Sequence, residues 1–189
     1  MLKLSIPFVL LFSILFFLTS CSSNGGGTEE NLNIYEGDVF LTTQQEVDDF
    51  GANNYNVVNG LMRIESDVNS NDKINDLTSL SSLERVNQTL FIVGNELTNL
   101  NGLNNLVEVW GLWITNEKRL LSLMALKNIK NDVHSLVIAD CLVLENLTGL
   151  EGITKISSSL QVSSVPLLKN LDPLNNLTQA GEQITINVN

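Results

Sequence analysis

Three oxygen-bearing side chains, Asp67, Asn69 and Asn71, recur at alternate positions in the segment Asp67-Val68-Asn69-Ser70-Asn71-Asp72-Lys73-Ile74-Asn75. That spacing could offer oxygen ligands to a calcium ion. Two departures weaken the candidate: the sixth position is Asp72, where the sharp turn needs Gly, and the twelfth is Thr78, where a carboxylate is needed. The single histidine, His134, has no Cys or carboxylate set near it in sequence and is expected at the surface or in a turn. Cys141 follows Asp140 and is expected to be a small, semi-buried apolar residue. Asp48-Asp49 and Glu29-Glu30 are paired acids, but general acid/base work needs carboxylates converging in a cleft, so both pairs are expected to be solvated. Asn-x-Ser/Thr triplets begin at Asn87, Asn146 and Asn176, a chance product of abundant Asn and Thr. The chain has no nucleophile elbow, zinc-protease helix, P-loop or dinucleotide fingerprint. No catalytic residue and no cofactor is expected, and the chain is not expected to be an enzyme.

The elements that position these residues follow from composition. The 189 residues carry a net charge of −11 and are 43% hydrophobic but only 6% aromatic. The length suits one ordinary domain. The acidic balance excludes a nucleic-acid binder, which needs a basic face. With one His and two Cys, little remains for a multi-ligand zinc or haem site. Leu occurs 33 times and Asn 25 times, nearly a third of the chain in two residue types, which points to repeats.

Residues 1–20 form an address. Lys3 is a positive n-region, and Leu4 to Phe17 is an uncharged apolar run followed by Leu18-Thr19-Ser20-Cys21. This resembles the bacterial lipobox, which implies that Cys21 is lipidated and becomes the mature N-terminus. A transmembrane helix is the alternative, but the run is near the lower length limit and no basic stop-transfer flank follows. Loss of Lys3 would leave 21 acidic against 9 basic side chains. Several acyl chains anchor firmly, because each buried methylene contributes about 0.8 kcal/mol. With Cys21 lipidated, Cys141 has no disulfide partner. Residues 22–35, which include Gly25-Gly26-Gly27, are expected to be a flexible tether. The expected location is the bacterial cell envelope, at the outer membrane, with periplasmic and cell-surface orientations both open.

The rest repeats. Met62/Ile64, Leu90/Ile92, Leu112/Ile114, Leu136/Ile138, Leu160/Val162 and Ile184/Ile186 are apolar-x-apolar strand cores, stepping by 28, 22, 24, 24 and 24 residues. Between them Leu recurs with spacing three, as in Leu97, Leu100, Leu103 and Leu106, or Leu144, Leu147 and Leu150. An α-helix has about 3.6 residues per turn, so that spacing suits short 3₁₀-like returns instead. The expected fold is a β-rich solenoid of about five coils over residues 61–189, with short parallel strands and Leu-lined returns. No coil buries its own Leu face; stacking makes a continuous core. Residues 36–60 are expected to form an N-terminal cap. There Val39 to Leu41 pairs as a first strand, and Thr43 with Glu46 forms a capping box for a short helix that Gly51 ends. The Asp67–Asn75 segment, whose acidic start resembles EF-hand and dockerin loops, fits better as the insertion that lengthens the first coil. Asn95, Asn116 and Asp140 follow strand cores where turns are needed and are expected to stack near one another.

The pattern resembles bacterial leucine-rich-repeat lipoproteins of the receptor-L-domain-like kind. The carrying residues are Asn59 to Ile64, Leu97-Thr98-Asn99-Leu100-Asn101-Gly102-Leu103, Leu147-Thr148-Gly149-Leu150-Glu151-Gly152-Ile153 and the cap-like Gly37 to Gly51. The resemblance spans about residues 36–189 and implies a right-handed solenoid that serves as an envelope or surface binding protein.

If the paired columns face inward, the residues between them face out. One outward column is Arg63, Phe91, Trp113, Val137, Gln161 and Thr185, and the next includes Glu65, Val93, Thr115 and Ala139. Phe91 and Trp113, with Val93, Val137, Arg63 and Gln161 around them, form the candidate binding face for a protein or glycan. Trp110 is expected to pack at an irregular corner. Ile184 to Asn189 is expected to leave a strand edge open, offering self-association as a second role.

Overall fold

The computed structural model describes residues 32–188. The signal residues 1–20, Cys21, Glu29-Glu30 and the first ten residues of the expected tether lie outside them.

The strands are β1 (Ile34–Glu36), β2 (Val39–Leu41), β3 (Val57–Asn59), β4 (Met62–Glu65), β5 (Arg85–Val93), β6 (Glu108–Thr115), β7 (Asn131–Ala139), β8 (Ile153–Ser163), β9 (Gln179–Ala180) and β10 (Gln183–Asn187). Among the described residues, one α-helix, α1 (Gln44–Gly51), and three 3₁₀ turns complete the regular structure. The ten strands form one sheet with the path β1-β3-β5-β6-β7-β8-β10, and every pairing is parallel. A β-rich chain with one parallel sheet and few helices is compatible with a solenoid-like fold.

The strand cores align in one register: Met62, Leu90, Leu112, Leu136, Leu160 and Ile184 are successive partners. Met62 to Leu160 are buried along that line, as are Ile64, Ile92, Ile114, Ile138 and Val162 on the next inward line. At the far end Ile184 and Ile186 stay in register with Leu160 and Val162 but are 56% and 48% exposed, as expected of an open last strand, since no further described strand lies beyond β10.

The spacing of three between Leu residues is a hydrogen-bond spacing. Leu80 N–H donates to the Leu77 carbonyl, Leu103 to Leu100, Leu126 to Leu123, Leu150 to Leu147 and Leu174 to Leu171, at 2.8–3.2 Å. A turn closed from residue i to i+3 repeats every three residues, so apolar side chains three apart share its inner side. The pairing of β7 with β8 shifts register between Asn131 and Asp132, where β8 carries the unpaired residue Thr154.

Each return starts with a side-chain turn. Thr78, Asn101, Thr148 and Asp172 donate backbone N–H to Oδ1 of Asp76, Asn99, Asn146 and Asn170, and Ser122 Oγ serves Met124 in the same way. Further along, Asn105, Asn128 and Asn176 donate Nδ2 to carbonyls of Ser81, Asn104 and Glu151 on the preceding segment. These columns hold six of the 25 Asn residues. Asn116 and Asp140 have a different duty: with Gly94 and Ser164 they take left-handed backbone after each strand, at φ of 53–65°.

The N-terminal part departs from expectation in two places. The end of the stretch expected as tether belongs to the fold: Asn33 bonds to Asn56 and Asn53, and β1 pairs with β3. Tyr35 packs edge-on against Phe50 and Tyr55, at centroid distances of 5.5 and 5.3 Å, an aromatic cluster that pins this start. β2 is thus the second strand, pairing with β4. Thr43 caps α1 by accepting from Glu46 N–H, and the Glu46 carboxylate reaches back chiefly to Thr42 N–H and Oγ1, with a lesser contribution from the Thr43 backbone. The Thr42 backbone N–H holds the Glu46 carboxyl below its ordinary value. Gly51 does not supply a left-handed stop, since the cap is Ala52 in right-handed geometry. Gly51 is needed for close approach, because a Cβ there would lie 2.4 Å from the Ser79 carbonyl oxygen.

Candidate functional site

Alternation along parallel strands puts every second side chain on one face, about 4.8 Å from its neighbour on the next strand. The outward column runs in direct register through Phe40, Arg63, Phe91, Trp113, Val137, Gln161 and Thr185. Phe40 heads it and is 59% exposed. Sequence reasoning missed Phe40, although its place between inward Val39 and Leu41 on the cap strand was the available signal.

The centre of the column is organised. The Arg63 guanidinium lies 5.3 Å from the Phe91 ring centroid and pairs with Glu65, two residues along β4. Phe91 meets Trp113 edge-on, with centroids 5.2 Å apart and planes at 66°. Trp113 donates Nε1–H to Ser135 Oγ on β7 at 2.9 Å. Gly111 makes room for this: Thr89 Oγ1 and Ser135 Oγ lie 2.7 and 3.0 Å from where its Cβ would be. Gln161 is tied to Ser163 Oγ at 2.9 Å.

Exposure within the expected face is uneven. Trp113 is 38% exposed, while Phe91, Val93, Arg63 and Gln161 are half-buried. Val137 is buried, contrary to expectation, as is Ala139 in the next column. A short side chain flanked in register by Trp113 and Gln161 lies below their height and is shaded by them. Buried Val137 therefore separates the aromatic end of the column, Phe40 to Trp113, from half-buried Gln161 and exposed Thr185.

Trp110 packs at an irregular corner as expected, and its partner there is the half-exposed surface residue His134. Trp110 is at the corner of β6 but is 50% exposed, and His134 is within β7, stacked on the indole at 3.9 Å with planes 14° apart. His134 Nδ1 is 3.1 Å from Ser157 Oγ. The two residues are 24 apart, one repeat step, so the register that aligns Leu112 with Leu136 was the available signal for their meeting.

The calcium candidate does not assemble. Asp67 Oδ1 accepts from Asn69 N–H, Lys73 Nζ donates to the Asp67 carbonyl, and Asp72 Oδ2 accepts from Gln45 N–H at the start of α1. The loop's oxygens thus serve the turn and the cap. Among the described residues no group of three or more His, Cys, Asp or Glu is arranged to hold a metal ion. Asp48 and Asp49 each accept from a Gln on α1, not from one another's site.

The interior holds one ionisable carboxyl that sequence reasoning passed over. Glu117 is fully buried and accepts from Asn95 backbone N–H and Nδ2 at 3.0 and 2.8 Å through Oε1, while Oε2 has no partner. Desolvation pushes its pKa up to about 7. Asn95 Oδ1 in turn accepts from Ser66 N–H and Oγ, so Asn95 stacks in a ladder with Ser66 and Glu117 rather than with Asn116 and Asp140 as expected. Cys141 is fully buried, and desolvation pushes its thiol up to about 12.

One hollow, about 490 Å³, is an open groove lined by Arg85, Val107, Glu108, Asn128, Lys130 and Asp132. Its cross-strand pairs, Arg85–Glu108 at 3.8 Å and Lys155–Asp132 at 3.6 Å, are solvent-exposed and contribute little to stability. Among the described residues no helix is long and apolar enough to cross a membrane. No protein family, curated protein or solved structure matches the chain.

Proposed function

We propose that this chain is a lipid-anchored protein of the bacterial cell envelope, held at the outer membrane through Cys21, whose right-handed leucine-rich-repeat solenoid of the receptor-L-domain-like kind presents a sheet face to a protein partner. The observation that carries the reading is the in-register column Phe40, Arg63, Phe91 and Trp113. Arg and Trp are the side chains that most often dominate protein interfaces, and here both sit on a rigid sheet with their rotamers fixed by neighbours. Between the two partner classes open from the sequence, the edge-on Phe91–Trp113 geometry favours a protein. It offers a ridged surface rather than the coplanar platform a sugar chain would lie on.

The test is capture from envelope extract by the full chain and by a Phe91→Ala/Trp113→Ala variant of unchanged circular dichroism. Loss of one reproducible partner from the variant supports the face; equal capture sinks it. Labelled palmitate incorporation that disappears in Cys21→Ser tests the anchor separately.

A second reading, an assembly module associating through its last strand, is favoured by the exposed Ile184 and Ile186 on β10. Light scattering decides: concentration-dependent growth that Ile184→Ser/Ile186→Ser abolishes supports it, and a monomer at high concentration counts against it.

A further inference from the structure

The Trp110 corner is separate from the aromatic column and has its own construction. β5 and β6 pair as Arg85 with Glu108 and Val86 with Val109, then resume as Thr89 with Gly111. Asn87 and Gln88 on β5 therefore oppose Trp110 alone on β6, a bulge that opens the sheet beside the indole. One indole face is covered by the His134 ring, parallel to it at 3.9 Å. The other side borders a hollow of about 230 Å³ lined by Asn87, Gln88 and Trp110.

Each wall has a fixed chemistry. The indole is a flat apolar plate, half exposed, held in place by the stack behind it. Asn87 donates Nδ2 to Asn59 Oδ1 at 3.1 Å, and Asn59 donates Nδ2 to Glu36 Oε2 at 2.7 Å. That chain of bonds orients the Asn87 carboxamide and leaves its Oδ1 free to accept. Gln88 is exposed and makes no side-chain hydrogen bond among the described residues, so it can offer both a donor and an acceptor. No charged side chain lines the hollow.

We propose that this corner is a binding site for one pyranose ring of a neutral glycan. A pyranose has an apolar C–H face to lay on the indole and equatorial hydroxyls that both donate and accept, which the two carboxamides match. An ionic ligand finds no counter-charge here, and a purely apolar one would strip two carboxamides of water without replacing their bonds. The site does not depend on the protein-binding reading of the Phe91–Trp113 face.

The experiment titrates the full chain, in a detergent without a sugar headgroup, with cellohexaose, maltohexaose, mannohexaose, xylohexaose and chitohexaose, following tryptophan fluorescence and heat. At least one oligosaccharide should bind saturably. Trp110→Ala should weaken that binding by about tenfold or more, and Asn87→Ala/Gln88→Ala by about threefold to tenfold, whereas Trp113→Ala should leave it unchanged. The Asn87/Gln88 variant keeps the indole stack, so it separates loss of ligand contacts from damage to the corner. Absence of saturable binding with all five sugars overturns the proposal. So does binding that survives Trp110→Ala, or binding lost only in Trp113→Ala. Failure of partner capture by the Phe91/Trp113 variant would leave these sugar measurements unaffected.

Discussion

Trp113 and Ser135, 22 residues apart and on adjacent strands, are joined by an indole Nε1–H to Oγ hydrogen bond of 2.9 Å. The bond holds the largest side chain of the outward column in one rotamer, so the surface it presents is set before any partner arrives. Ser135 can reach it because Gly111, two residues before Trp113, has no side chain.

Gly111→Ala should therefore release Trp113 without dismantling the sheet. Its Cβ would displace Thr89 Oγ1 and Ser135 Oγ from 2.7 and 3.0 Å. The indole N–H resonance of Trp113 should then exchange with solvent faster than in the wild type. Ser135→Ala should do the same at a stability cost of about 1 kcal/mol or less. Unchanged exchange in both variants would show that the bond does not fix the ring.

Glu117 should make stability fall as pH rises. Its folded pKa, about 7, is above its ordinary value of 4.5, so the folded state retains the proton that the unfolded state has released. Stability is full below pH 4.5, declines between there and about pH 7, and levels off above, with a total on the order of 3 kcal/mol. Glu117→Gln keeps an oxygen for the Asn95 donors and cannot ionise. Urea denaturation at pH 5 and pH 8 should show a larger drop for the wild type than for the variant, and equal drops would refute the assignment.

The Cys141 thiol should be inert while the fold is intact. It is buried, and its pKa is pushed up to about 12, which leaves almost no thiolate at neutral pH. In a Cys21→Ser chain, native protein should react with a thiol reagent only as fast as it unfolds, and denatured protein at once. Prompt native labelling would contradict the burial.

Gly102 should tolerate no side chain. Its φ is +110°, and a Cβ would lie 1.8 Å from the Leu77 carbonyl oxygen of the neighbouring segment. Gly102→Ala combines left-handed strain with a backbone clash and should destabilise by at least about 2 kcal/mol. Gly37→Ala is the control, since its φ of +113° meets no atom within 4 Å and only the strain remains. A thermal melt in which the two variants lose equally would show that close approach is not what Gly102 provides.

The strand parity was legible because a slip of one residue would turn every inward Leu and Ile to solvent at once. Six apolar pairs at steps of 22–28 residues left one consistent choice, and the register from Met62 to Leu160 follows it. The Leu returns were legible for a related reason, since spacing three is what i to i+3 turns require. Exposure was not legible. Val137 and Trp113 occupy the same column, yet one is buried and the other open, because side-chain height relative to register neighbours decides which is shaded. The Asn87–Gln88 hollow depends on a bulge that alternation does not reveal.

The sequence by itself therefore determined the period, the inward columns and the Asn-rich turns, all of which rest on local spacing and on one rule, that apolar side chains leave water. Only the tertiary structure decided which outward residues stay accessible, that Phe40 heads the aromatic column, and that Glu117 enters the interior beside Asn95. Those outcomes depend on pairs separated by one whole strand-and-return segment, where a single bulge or a taller neighbour changes what a side chain meets.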